Sequence, residues 1–173
     1  MSDRDVSVEI IGSLSAINAQ DWDACSDPDA TSDRPRDPFT TYRFLRALED
    51  SGSVGEGTGW QPLYMIARDQ DQIIGVAPMY LKSHSQGEYI FDHNWAHAYE
   101  RAGGRYYPKL QIAAPFTPVT GRRFLIKPKH HETAYRAMIE GACKLAKKKQ
   151  ISSLHATFCT RDEYEMGGKF GLL

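Results

Sequence analysis

The hydrophobic pattern of the first third of the chain predicts a strand followed by two short helices. Alternating apolar and polar residues predict a strand over Val6–Leu14. A short helix that begins at its own N-cap is predicted over Asn18–Asp23. Thr40 or Thr41 is suited to cap a second helix, which the glycine at Gly52 would end.

The next part of the chain has the pattern of an antiparallel hairpin. Two apolar runs, Trp60–Arg68 and Ile73–Lys82, are separated by the polar sequence DQDQ. Pro78 lies within the second run and cannot donate a hydrogen bond to a sheet. We therefore expect Pro78 at a bulge or on the edge side of the strand.

The last third predicts a strand, a long helix, a strand and a final helix. Short apolar runs at Phe124–Ile126 and Ile151–Phe158 flank a helical pattern over residues 131–149. Thr160 and Glu163 have the spacing of a capping box at the start of the final helix. The apolar stripe of the long helix consists of Ala134, Met138, Ala142, Leu145 and Ala146.

This order of elements predicts an α/β fold with a mixed, mostly antiparallel sheet flanked by helices. The hairpin supplies antiparallel strands, whereas the last third has the order of a βαβ unit, which pairs strands in parallel. The central sheet should contain the two hairpin strands together with Lys109–Ala113 and Ile151–Phe158.

The middle third, Ser83–Gly121, lacks simple periodicity and is the best candidate for a functional site. Aromatic and charged residues alternate there with histidine, glycine and proline, a mixture suited to the wall of a polar ligand site. Within it we predict a short helix over Asn94–Arg101, ended by Gly103 and Gly104. Glu88–Phe91 is expected to continue the sheet.

Composition places the chain among globular domains and excludes some classes of function. Its 173 residues are enough for one domain, with 41% hydrophobic and 25% charged residues. A formal net charge of −1 argues against a general DNA binder. No run is long and apolar enough for a membrane span, and the start of the sequence has no secretory pattern. Three widely spaced cysteines fit a reducing compartment, so we expect a cytoplasmic location.

Two long stretches of the sequence resemble a known family. They are PFTTYRFLRALEDSGSVGEGTGWQP and GVAPMYLKSHSQGEYIFDHNWAHAYERAGGRYYPKLQIAAPFTPVTGRR. Both resemble the bacterial FemAB-like proteins, described as peptidoglycan biosynthesis or recognition proteins and as predicted N-acyltransferases. The resemblance implies a fold of the acyl-CoA N-acyltransferase (GNAT) type. It also implies a tandem of two such domains, of which residues 1–173 would be the first.

The resemblance further implies transfer of an acyl or aminoacyl group to an amine, with a cell-wall precursor as one acceptor. Acyl-CoA and aminoacyl-tRNA are the donors it suggests. GNAT enzymes that use acetyl-CoA carry a glycine-containing backbone cradle for the pyrophosphate at a helix N-terminus. The sequence before the long helix, GRRFLIKPKHHE, has no such cradle. Tight acetyl-CoA binding is therefore not expected, and a carboxy-terminal partner domain is the alternative donor site.

Amine acylation needs a base for the ammonium proton and donors for the oxyanion. Asp92 and Glu100 are the candidate bases, and Tyr99 is the candidate catalytic hydroxyl. The alternative is structural, with Asp92 capping the short helix and Glu100 pairing with a nearby arginine. Candidate substrate-binding residues are Trp95, Arg101, Arg105, Tyr106, Tyr107, Lys109 and Thr117. The residues expected to converge on one cleft are Asp92, Trp95, Tyr99, Glu100, Arg101, Tyr106 and Lys109.

A local excess of basic residues near this stretch suits an anionic precursor or the end of a tRNA, although a solvated surface is the alternative. It comprises Lys82, Arg101, Arg105, Lys109, Arg122, Arg123, Lys127 and Lys129.

Other chemistry has weaker support in the sequence. His93 and His97 are four residues apart but lack a third ligand at metal-site spacing, so no metal is assigned. Neighbouring Ser83 and His84 would point to opposite faces of a strand, which disfavours a nucleophile–base pair.

The rival functional class is a non-catalytic module that binds an anionic ligand or its own second domain. The reading frame beyond Leu173 would discriminate, since a second GNAT-like half favours the enzyme. Self-association is also expected if residues 160–173 and the sheet face beside them normally meet a second domain and are left uncovered.

Overall fold

The fold is described here from a computed structural model, which covers residues 6–27 and 37–173. The strands are β1 (Val6–Ile11), β2 (Trp60–Pro62), β3 (Tyr64–Asp69), β4 (Gln72–Ala77), β5 (Met79–Lys82), β6 (Lys109–Ile112), β7 (Leu125–Ile126) and β8 (Leu154–Ala156). The helices are α1 (Ala19–Ser26), α2 (Tyr42–Asp50), α3 (His93–Arg101), α4 (His131–Lys149) and α5 (Arg161–Lys169). Short 3-10 turns lie at Leu14–Ala16, Pro38–Thr40 and Pro128–His130.

The predicted hairpin forms, but it bends and contributes to two sheets instead of one. The first sheet has the strand order β1-β3-β4-β7, and the second has the order β2-β5-β6-β8. The bend falls at Leu63 on one strand and at Pro78 on the other, between the strands of the two sheets. There the Leu63 amide donates to Met79 O at 2.8 Å, and Pro78 O accepts from the Ala113 amide at 3.1 Å. Pro78 thus lies where the regular ladder is interrupted, as its missing N–H requires.

The prediction of a mixed α/β fold is confirmed, although its parallel pair differs from the expected one. The first sheet is antiparallel throughout, and the parallel pair is β6 with β8 in the second sheet. The predicted pairing of the strands on either side of the long helix was wrong, because β7 joins β4 of the first sheet.

Local capping signals in the sequence are confirmed by side-chain hydrogen bonds. Asn18 accepts from the Gln20 amide at 2.8 Å, and Thr41 accepts from the Phe44 amide at 3.3 Å. Thr160 and Glu163 form the complete capping box at the start of α5.

Apolar residues of the first sheet pack on both of its faces. Tyr64 and Ile66 face α1 and α2, in a cluster with Trp22 and Leu45. The intervening residues of β3 face the opposite side and share a cluster with α4. The predicted stripe of α4 is confirmed at its centre, where Met138 and Ala142 are fully buried, while Leu145 and Ala146 are partly buried.

Two predicted strand segments are corrected. Glu88–Phe91 is not a strand, since Tyr89 and Phe91 have positive φ angles of 61° and 57°, outside the extended region. The predicted strand Ile151–Phe158 is regular only over Leu154–Ala156. Across the described ranges, no helix combines the length and apolar character needed to cross a membrane.

Candidate functional site

One face of the second sheet is polar and buried. In β5 and β6, Lys82 is paired in register with Lys109, and Tyr80 with Gln111, so the four side chains share a face. Each of them is at most 1% exposed. The alternate residues, such as Leu110 and Ile112, belong to the apolar cluster beneath α4.

This polar face is covered by residues 83–107, here called the cover segment. Gln86 O accepts hydrogen bonds from Lys82 Nζ at 3.2 Å and from Trp60 Nε1 at 3.0 Å. The segment contains α3, which Gly103 ends with a φ of +84°. A Cβ at Gly104 would lie 2.3 Å from the Tyr99 ring, so a larger residue there would require the Tyr99 side chain to move.

Lys109 is the centre of the ionic contacts beneath the cover segment. Its Nζ donates to Glu88 Oε2 at 2.8 Å and to Asp92 Oδ2 at 2.6 Å. Burial disfavours the charged amine, but the two carboxylates outweigh burial and raise the pKa of Lys109. The site therefore holds a permanent ammonium between two acids.

Asp92 has both of its carboxylate oxygens engaged. Tyr106 donates to Oδ2 at 2.8 Å and Tyr107 donates to Oδ1 at 3.3 Å, in addition to the contact with Lys109. Burial alone would raise the pKa of Asp92, yet hydrogen bonds from Lys109 and Tyr106 lower it to about 2. Asp92 stands at the N-cap position of α3, as the structural alternative expected, but its side chain makes no capping hydrogen bond.

Glu88 lies in a different environment from Asp92. It is 4% exposed, and its Oε1 has no hydrogen-bond partner within residues 6–27 and 37–173. Burial raises the pKa of Glu88, opposed by the hydrogen bond from Lys109. Two neighbouring carboxylates therefore have pKa values displaced in opposite directions, an arrangement typical of acid–base sites.

Lys82 adds a second buried amine to this face. Its Nζ lies 3.7 Å from the centroid of the Trp60 ring, which stabilises a cation through the π system. Burial lowers the pKa of Lys82 to about 8, with Glu88 acting in the opposite direction. Lys82 is therefore charged near neutral pH but close to its titration range.

His155 of β8 lies at the border of the site. Its Nε2 is 2.8 Å from Ser153 Oγ, and its ring lies edge-on to Tyr106 with centroids 6.3 Å apart. Burial, followed by the charge of Lys109, lowers the pKa of His155 to about 4. The imidazole is therefore neutral at physiological pH.

Some of the residues predicted to converge come together, in a buried cluster. Asp92, Tyr106, Tyr107 and Lys109 come together, and Tyr99 reaches their edge, with its ring centroid 6.3 Å from that of Tyr106.

The remaining candidate residues lie outside this cluster. Trp95 is 73% exposed, and Glu100 and Arg101 are exposed on α3. Arg105 donates to Gln150 O at 3.3 Å, and Thr117 donates to Pro115 O at 3.0 Å. Trp95, Glu100 and Arg101 are exposed, in contrast to the buried Asp92 and Lys109, and their convergence with the cluster stays a prediction.

Two of the basic residues near the site have structural contacts instead. Arg123 is 1% exposed and donates to Thr157 O at 2.9 Å and to Val119 O at 2.6 Å. Lys127 donates to Ile73 O at 2.7 Å. These contacts anchor the residues between β6 and α4 against both sheets.

The histidine pair of α3 shows no metal-like arrangement. His93 Nδ1 lies 3.3 Å from Ser85 Oγ, whereas His97 is exposed. Across the residues that the structure describes, no three or more His, Cys, Asp or Glu side chains form a group suited to a metal ion.

Sequence reasoning missed Glu88, Gln111 and His155 as parts of the site, and assigned Lys82 only to a basic excess. A signal was available for two of them. Lys82 and Gln111 are polar residues within otherwise apolar runs. Because side chains alternate along a strand, the residues next to them point to the opposite face of the sheet. Glu88 had no such signal, because it lies in an irregular segment.

A family model described as FemAB-like, peptidoglycan biosynthesis/recognition, matches residues 13–173. No curated protein sequence matches the chain.

Two solved structures share the fold. One is ribosomal-protein-alanine N-acetyltransferase from Brucella melitensis biovar Abortus 2308, with 13% identity and a TM-score of 0.55, covering 98% of this chain and 91% of that one. The other is aminoglycoside acetyltransferase meta-AAC0020 from an uncultured soil metagenomic sample, in complex with trehalose. It has 9% identity and a TM-score of 0.52, and covers 96% of this chain and 88% of that one. Both similarities establish the GNAT acetyltransferase fold predicted above.

Proposed function

Since the chain belongs to the FemAB-like family of peptidoglycan biosynthesis and recognition proteins, we propose that it is an N-acyltransferase domain for a peptidoglycan precursor. The reaction would pass an acyl or aminoacyl group to a free amine of that precursor. The acetyltransferase fold of its structural neighbours supports the same class of chemistry.

The observation that carries this proposal is the buried cluster of Lys109, Glu88 and Asp92 beneath the cover segment. Amine acylation requires a carboxylate to accept a proton and polar hydrogens to stabilise the oxyanion. The cluster offers carboxylates in Glu88 and Asp92 and polar hydrogens in the Lys109 ammonium, while the hydroxyls of Tyr106 and Tyr107 donate to Asp92. Burying such charges is costly, and buried groups with shifted pKa values concentrate at functional sites.

The acyl donor is proposed as an acyl-CoA or an aminoacyl-tRNA. The start of α4, where a pyrophosphate would bind, has no glycine between Arg122 and His131, and its N-cap residue His130 makes no side-chain cap. This favours a donor site completed by a second, carboxy-terminal domain, as the family resemblance implies. A cytoplasmic location follows from such donors and fits three free cysteines.

A binding module is the second candidate function, favoured by one observation. Lys82 and Lys109 are closed off from solvent, at 0% and 1% exposure, so the cluster is not open to substrate in this conformation. A non-catalytic domain would use its exposed surface to bind an anionic precursor or a second domain.

Transfer is tested with the full-length, two-domain protein that the family resemblance implies, incubated with a UDP-linked peptidoglycan precursor and either acetyl-CoA or aminoacyl-tRNA. Mass spectrometry would detect the acylated precursor. We expect product with at least one donor, and loss of product in Asp92→Asn. The exposed α5 variant Arg161→Gln is the matched control and should retain activity. Binding of precursor without product for every donor would favour the binding module.

A further inference from the structure

The two oxygens of Glu88 have very different surroundings. Oε2 is held 2.8 Å from Lys109 Nζ, which fixes the orientation of the carboxylate. Oε1 is buried and has no donor among the described residues. A buried acceptor in this situation carries an uncompensated desolvation cost, which is larger when the acceptor is charged. Such an oxygen is available to accept a hydrogen bond from a ligand group that reaches it.

Asp92 is unsuited to the same role. Lys109, Tyr106 and Tyr107 together supply three donors to its two oxygens. A carboxylate with a pKa of about 2 also has little tendency to accept a proton near neutral pH. Glu88, with a raised pKa and one free oxygen, is the better proton acceptor.

The acceptor atoms of this site suit a ligand group with several N–H donors. Gln111 Oε1, a second acceptor without a partner among the described residues, lies on the polar face of the second sheet at 0% exposure. A primary ammonium has three N–H donors and matches such acceptors.

We propose that Glu88 Oε1 binds the ammonium group of the acceptor substrate and accepts its proton. The acceptor is therefore a primary amine that enters as a cation, and Glu88 is the catalytic base. This inference rests on the proposed N-acyl transfer.

The acyl donor in this step is a thioester or an aminoacyl ester. The acceptor ammonium transfers one proton to Glu88, leaving a neutral amine and a carboxylic acid. The amine nitrogen forms a bond to the acyl carbon, and the bond from that carbon to the donor sulfur or oxygen breaks. The second proton leaves the nitrogen as the amide forms and reaches the departing thiolate or alkoxide. Glu88 then releases its proton to solvent.

Amine binding can be tested without any acyl donor, by NMR titration of the protein with propylammonium chloride. We expect backbone shifts concentrated at residues 85–92 and 109–111. Propyltrimethylammonium at equal ionic strength should leave these residues unchanged, because it has no N–H donors. Glu88→Gln should abolish the shifts, while Glu165→Gln, an exposed glutamate of α5, should retain them. Glu88→Asp keeps the charge and tests the site if the glutamine variant does not fold.

Three outcomes would overturn the inference: no shifts at these residues, equal shifts with the quaternary cation, or shifts that persist in Glu88→Gln.

The acyl-transfer assay gives the second readout. Glu88→Gln should lower kcat/KM by about 100-fold or more and remove the rise of rate with pH that ionisation of Glu88 produces. Full activity of folded Glu88→Gln would overturn the inference but leave the proposed function standing. Specific amine binding without acyl transfer from any donor would leave the amine-binding role of Glu88 standing but overturn the proposed function.

Discussion

At the scale of single residues, Lys109 determines the charge balance of the site. It forms ion pairs with both Glu88 and Asp92, and all three side chains are at most 6% exposed. Removing the ammonium would leave two acids buried without their counter-ion, whereas the exposed lysines at the end of α4 lie in water.

Lys109→Met should therefore destabilise the fold by about 3–5 kcal/mol. Chemical denaturation of this variant measures the change in free energy of unfolding. Lys147→Met is the control at an exposed lysine and should stay within about 0.5 kcal/mol of the parent. A loss below about 1 kcal/mol for Lys109→Met would mean that the cluster is solvated in solution.

The lowered pKa of Asp92 predicts a specific loss of stability in acid. Its ordinary pKa is 3.8, and the folded value is about 2. Because the folded pKa is lower, the stabilisation is present above pH 4 and is lost as pH falls from about 4 to about 2. Glu88 has the opposite effect on stability. Because its pKa is raised in the folded state, its stabilisation is present in acid and is lost as the pH rises through the folded pKa.

Asp92→Asn isolates the contribution of Asp92. Its free energy of unfolding should depend less on pH between 4 and 2 than that of the parent. Urea denaturation at a series of pH values measures this. Parallel curves for the two proteins would show that Asp92 is not ionically paired in the folded state.

At the scale of elements, Glu163 joins α5 to the strand β7. Its carboxylate accepts from the backbone amides of Arg123 and Phe124, both at 2.8 Å, as well as completing the capping box with Thr160. This contact holds β7 and β8 in place, because Arg123 in turn donates to Thr157 O next to β8.

Glu163→Ala should leave buried amides without acceptors and cost about 3 kcal/mol or more. Glu163→Gln retains one oxygen acceptor and should cost less. Thermal denaturation of both variants, beside the exposed control Glu165→Ala, measures the difference. Equal melting temperatures for all three would contradict the assigned role of Glu163.

At the scale of the whole molecule, we expect this chain to bind acetyl-CoA weakly. The N-terminus of α4 offers no glycine cradle for a pyrophosphate, so a usual source of affinity is missing. Isothermal titration calorimetry should give a dissociation constant weaker than low micromolar, a value that corresponds to about −8 kcal/mol. A dissociation constant in the low micromolar range or below would show that acetyl-CoA binds this chain without a glycine cradle.

The chain is also expected to self-associate, through a surface other than the one the sequence suggested. Large exposed hydrophobic residues concentrate in and before α3, where Phe91 is 76% and Trp95 is 73% exposed, whereas the 160–173 segment exposes chiefly Tyr164 and Leu173. Light scattering should show association that weakens in a Phe91→Ser, Trp95→Ser double variant. A parent protein that stays monomeric at millimolar concentration would contradict this expectation.

The sequence alone determined those features that depend on neighbours within a few residues. The long helix α4, the caps at Asn18 and Thr41, and the capping box at Thr160 follow from periodicity and local hydrogen bonds. The mixed α/β class followed from the order of these elements. The aromatic and charged middle third likewise contained Asp92, Tyr106, Tyr107 and Lys109.

Only the tertiary structure decided how the strands divide into two sheets and which charges meet. Lys109 is separated from Glu88 by 21 residues and from Asp92 by 17, with an irregular segment between them. No periodicity relates such positions, because the cover segment folds back through turns whose direction depends on what it packs against. Burial raises the pKa of both acids, and the hydrogen bonds that the fold brings to Asp92 from Lys109 and Tyr106 are what separate its pKa from that of Glu88.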